Sequence, residues 1–76
     1  MDRTDMELIQ ANLDNDPELA QLWSEHLGME KKLDDMNQRL YLSTEEQIER
    51  KRLQKLKLAG RDRIEQILIT LRSASA

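Results

Sequence analysis

The chain has 76 residues, 38% of them apolar and 36% charged, with a net charge of -3, one Trp, one Tyr, no Phe and no Cys. That length holds one small domain or a pair of helices, which excludes a dinucleotide-binding fold, a barrel and a two-domain enzyme with an interdomain cleft. Disulfide and thiolate chemistry are excluded too, and no apolar run approaches the ~20 residues of a membrane span or follows Met1-Asp2-Arg3 as a secretory signal, so the expectation is a cytoplasmic protein with no membrane contact.

Two glycines and one proline stand among abundant Leu, Glu, Gln, Lys, Arg, Met and Ala, a composition of strong helix formers, so the fold class is all-α. In residues 1–15, Thr4-Asp5-Met6-Glu7 has the pattern of a capping box for a short leader helix, with Met6, Ile9 and Leu13 on one face. The next boundary is Asp16-Pro17-Glu18. Asp16 is suited to N-cap, Pro17 to N1, where no amide donor is needed, and Glu18 to the positive helix end. Helix A is expected over about 17–40. Its seam is Leu19, Leu22, His26, Met29, Leu33, Met36 and Leu40, alternately three and four residues apart, a heptad pattern for packing against another helix.

Ser43 and Glu46 form a second capping-box pattern, which starts helix B at about Thr44. So short a connection favours two antiparallel helices, a coiled-coil-like hairpin over 16–72, against the alternative of one continuous helix through Tyr41–Thr44. Helix B, over about 44–72, carries Leu53, Leu56, Gly60, Ile64, Ile67 and Leu71 at close to the 3.6-residue helical period; Ile48 begins its apolar region and Leu68 widens it. Residues 73–76 are expected to fray. Gly60 sits on the seam. It either admits a large neighbour, with Trp23 the candidate, or simply weakens the helix.

One stripe on each helix is a small core for this chain, which favours self-association as a homodimer, a four-helix bundle being the simplest closed form. Leu58 and Ile69 lie away from the seam and are spare apolar positions for a further layer or another protein partner. The candidate interaction or core positions are therefore Leu22, Trp23, His26, Met29, Leu56, Leu58, Gly60, Ile64, Ile67 and Ile69.

Charge is unevenly divided. Residues 1–38 carry ten acids and three bases, net -7, and residues 39–76 nine bases and five acids, net +4. A chain folded back near residue 42 sets Glu30, Asp34 and Asp35 toward Arg50, Lys51, Arg52 or Lys55, an aid to register more than to stability. The basic face, Arg50, Lys51, Arg52, Lys55, Lys57, Arg61 and Arg63, carries the alternative of a nucleic-acid accessory protein. The negative total and the lack of an aromatic platform weigh against nucleic acid.

His26 is the only histidine. Glu25 points elsewhere around the helix, and Glu30, one turn on, makes a pair of the ordinary structural kind, so no catalytic residue is assigned and an enzyme is not expected. No metal or cofactor is expected either, since Cys is absent, no calcium-loop pattern occurs, and Lys57-Leu58-Ala59-Gly60-Arg61 has too few glycines for a phosphate loop.

Several of these stretches together, over about residues 16–71, resemble the YdcH-like family of small bacterial proteins. They are Asp16-Pro17-Glu18-Leu19, Leu22-Trp23-Ser24-Glu25-His26, the Met29 and Leu33 spacing, Leu42-Ser43-Thr44-Glu45-Glu46, and Lys57-Leu58-Ala59-Gly60-Arg61-Asp62-Arg63-Ile64. The resemblance implies a helical hairpin with no assigned catalysis or cofactor. Asp16 stands where that family more often has Asn, Leu19 where it often has Phe, and the connection lacks the family's usual Gly, Pro or His. The proposed non-enzymatic role, protein interaction or scaffolding through helix faces, thus comes from the apolar seams and not from a family function.

Overall fold

A computed structural model describes residues 2–75, with side chains through residue 74. Three helices follow in order: α1 (Arg3–Asn12), α2 (Pro17–Asn37) and α3 (Thr44–Ser75). The described residues contain no strand, and the chain is all-helical apart from its connections.

Capping chemistry sets the starts. α1 begins earlier than Thr4 because Asp2 is the cap: its carboxylate accepts from the Asp5 amide at 2.8 Å and its carbonyl from the Met6 amide at 3.0 Å. Asp outranks Thr at this position, so Thr4 falls inside the first turn. At α2, the Asp16 carboxylate accepts from the Leu19 amide at 3.1 Å with Pro17 in the first turn. At α3, the Ser43 hydroxyl accepts from the Glu46 amide and the Glu46 carboxylate accepts from the Ser43 amide, both at 3.1 Å. Two otherwise unpaired donors are satisfied reciprocally.

The ends differ from expectation. α2 stops at Asn37, not Leu40, and residues 38–43 are non-helical, so no continuous rod passes through Tyr41. Asn is a weak helix former, and the Gln38 amide closes the last turn on the Asp34 carbonyl at 3.1 Å. Once the helical period lapses, Leu40 leaves the seam and is fully exposed, while Leu42 becomes buried. α3 in turn continues through Ser75, beyond residue 72, since its last turn holds neither Gly nor Pro and Ala74 favours helix. Ala76 lies outside the described residues.

Ion pairs mark how α2 and α3 lie together. Glu18 meets Arg63 at 2.8 Å and Glu30 meets Lys57 at 3.5 Å, while Arg39 and Glu46 join across the connection. Rising numbers on one helix meet falling numbers on the other, so their chain directions oppose. The molecule measures 48 × 19 × 17 Å, as long as α3 itself at ~1.5 Å per residue.

The main core lies where all three helices meet. Ile9 of α1, Leu19 of α2 and Ile64, Ile67 and Leu68 of α3 are buried together, with Leu8, Leu13, Leu22, Trp23 and Leu71 packed around them. The leader thus docks on its own chain, and Asp5 pairs with Arg72 to hold it there. Toward the connection the interior thins to Leu33, Leu53 and Leu42.

Candidate interaction surface

The candidate positions separate into interior, groove and outer face. Ile64, Ile67 and His26 are interior. The His26 ring stacks on Trp23, with centroids 5.4 Å apart and planes 15° from parallel. Its Nε2 lies 3.1 Å from Glu30 Oε1, the same oxygen that Lys57 approaches, while its Nδ1 is buried without a hydrogen-bond partner. This is a packed histidine, closed off by Trp23 on one side and by the Glu30 carboxylate at its edge. His26 lines neither of the cavities between α2 and α3 that Leu22 and Leu33 border.

Trp23 does not approach Gly60. It packs toward the α1 core instead, and a methyl group built on Gly60 would meet no atom within 4 Å. Of the two sequence readings of Gly60, the close-approach one is therefore corrected. The same open space stands over Gly28 of α2.

Both glycines line one groove of about 620 Å³ between α2 and α3, walled by Leu22, Met29, Leu53 and Leu56. Glu25, Lys32 and Arg63 stand at its edges. Leu56, assigned to the helix B seam, is 46% exposed because it forms this wall and not the buried interior. Leu22 and Met29 are half-buried opposite it. An apolar trough with a floor of two missing side chains can admit another helix at close range.

The outer face of α3 carries Ile48, Leu58 and Ile69, all exposed, with Lys51, Arg52 and Lys55 around a shallower recess between Ile48 and Leu58. Of the basic face, Lys57 pairs with Glu30, Arg63 with Glu18, Arg52 with Glu49 and Arg61 with Glu65. The Arg63 guanidinium grips both Glu18 oxygens, which raises its pKa further. Arg52 donates to Glu49 and holds that carboxyl below its ordinary range. Arg50, Lys51 and Lys55 form no ion pair among the described residues, and neither do Asp34 and Asp35. The expected pairing of Asp34 and Asp35 with Arg50–Lys55 is thus replaced: Glu30 reaches Lys57, beyond that range.

Two features escaped the sequence reading. Leu8 packs against the core although only Met6, Ile9 and Leu13 mark the leader's expected face, and Leu27 is an exposed apolar residue on α2. Among the described residues no group of three or more His, Cys, Asp or Glu is placed to hold a metal ion, and no helix is long and apolar enough to cross a membrane. No protein-family model, curated protein or solved structure matches this chain.

Proposed function

We propose that this protein is a non-catalytic interaction or scaffolding module of the cytoplasm: an antiparallel, coiled-coil-like helical hairpin that associates with a second copy through the α2/α3 groove to form a four-helix bundle. The observation that carries this reading is the groove itself, apolar along Leu22, Met29, Leu53 and Leu56 and unfilled over Gly28 and Gly60. Its edges support a two-fold arrangement, because Glu25 and Lys32 lie equally far on either side of the Gly28-Met29 step and an antiparallel α2 pair sets each against the other. The resemblance to YdcH-like proteins fits the same hairpin. A nucleic-acid role has less support, since Arg52, Lys57, Arg61 and Arg63 already meet carboxylates.

Sedimentation equilibrium tests the proposal. The wild-type chain is expected to exceed its 9.0 kDa monomer mass at micromolar concentration, and Leu56→Glu or Met29→Glu to lower that average mass without loss of helicity. A wild-type monomer throughout that range, or a dimer indifferent to both substitutions, would reject the groove as the interface.

A further inference from the structure

We infer that the outer face of α3 is a second self-docking surface, on which another copy of this chain binds antiparallel about a two-fold axis between Leu58 and Ala59. Ile48, Leu58 and Ile69 are 63%, 59% and 60% exposed. At ~100° per residue they fall within about 80° of arc, one face turned away from the buried side.

The spacing along that face is symmetric. Ile48 lies ten residues before Leu58, and Ile69 ten after Ala59; Lys55 lies three before and Asp62 three after; Arg52 lies six before and Glu65 six after. An isologous antiparallel pair places each position against its mirror position on the partner. Ile48 then meets Ile69, Lys55 meets Asp62, and Leu58, level with Ala59 of the second copy, lies beside the axis close to the second Leu58. A parallel pair would set Lys55 against Lys55 and Asp62 against Asp62, a like-charge arrangement that disfavours it.

Two further observations fit a second copy. Lys55 and Asp62 form no ion pair among the described residues, so the central pair is free to bridge copies. The recess of about 580 Å³ between Ile48 and Leu58 is rimmed by Lys51, Arg52 and Lys55, and the segment that would enter it carries Asp62, Glu65 and Ile69. Apolar rungs ten or eleven residues apart make this a modest interface in which charge sets direction and register. Apart from Ala59 beside the axis it uses none of the groove residues, and it stands apart from the groove reading. If both faces engage, dimers join into larger assemblies.

The chain has no cysteine, so introduced thiols report without background. Ile48→Cys and Ile69→Cys chains, mixed and mildly oxidised, are expected to give the mixed disulfide at least tenfold above either like-with-like product. The mixed product persists when both chains also carry Leu56→Glu, which separates this surface from the groove. Lys55→Asp alone or Asp62→Lys alone lowers the yield about tenfold, and a chain carrying both restores it, with circular dichroism confirming unchanged helicity. A statistical mixture of products, or failure of the double exchange to rescue a helical chain, would overturn the proposal.

Discussion

Burial of His26 with Nδ1 unpartnered leaves one nitrogen without the hydrogen bond that water would supply, a cost of about 1–3 kcal/mol. Leucine fills similar space without that cost, and Glu30 keeps Lys57 as a partner. His26→Leu is therefore expected to stabilise the fold by up to about 1 kcal/mol in urea denaturation, after loss of the Trp23 stack is included. A loss of stability of that size would mean that the imidazole contributes more through Glu30 and Trp23 than its orphaned nitrogen costs. Ile9 presents the opposite case. It is fully buried among side chains from all three helices, and Ile9→Ala should cost about 2–5 kcal/mol by the same measurement. The two residues also differ in how readily sequence located them. His26 lies on an unbroken three-four spacing from Leu19 to Leu33, and that repetition marks the buried side. Ile9 belongs to a leader too short to be stable alone, and its partners Ile64 and Leu68 are more than fifty residues away, where no local pattern points.

Helix starts were legible because capping is chemistry between residues three apart. Asp16 and the Ser43–Glu46 box bond as their spacing predicts, whereas at α1 a stronger cap stood just upstream of the expected one. Helix ends were less legible: Asn37 and Gln38 are only mildly unfavourable, and where α2 stops depends on how the following segment reaches α3. The cap has a consequence in pH. The Ser43 amide, then its hydroxyl, hold the Glu46 carboxyl below its ordinary value of 4.5. A carboxyl with a lowered folded-state pKa stabilises the fold above the unfolded value and loses that effect as pH falls through the folded one. The stability difference between wild type and Glu46→Gln should accordingly be constant near neutrality and shrink below pH about 4.5, as thermal midpoints across a pH series will show. Ser43→Ala should cost about 1 kcal/mol. The glycines offer the converse change. Each sits within a helix and a methyl there meets nothing, so Gly60→Ala should raise monomer stability by about 0.5–1 kcal/mol. Measurement at a concentration below association isolates that effect, and a decrease would show that the trough over Gly60 is already filled.

Across the whole molecule, the acidic front and basic rear of the chain do meet, but sequence supplied the signs of the charges without their register. Residues 38–43 decide that register by the path they take, and their irregular backbone has no periodicity from which to read it; hence Glu30 finds Lys57, and Asp34 and Asp35 face no base from Arg50–Lys55. The docking of the leader, though not its helix, was hidden for a related reason. A pair of helices accounts for both seams on paper, so nothing local required a third element to cover Leu19, Ile64 and Leu68. In three dimensions those residues form the densest part of the interior only because α1 closes over them. Removing residues 1–15 would leave that end of α2 and α3 uncovered and take the Asn12 carbonyl from the Asp16 amide, while the capping bond from the Leu19 amide to the Asp16 carboxylate lies wholly within what remains. The loss should therefore be one of packing: at about 4–8 °C per kcal/mol for a domain of this size, deletion of Ile9 and its neighbours predicts a fall of at least ~10 °C in thermal midpoint, with helicity at low temperature reduced by little more than α1 itself. The newly exposed apolar end should also raise the average mass in sedimentation through contacts that Leu56→Glu does not abolish. An unchanged midpoint would show that α1 adds nothing to the core and that the two longer helices are sufficient.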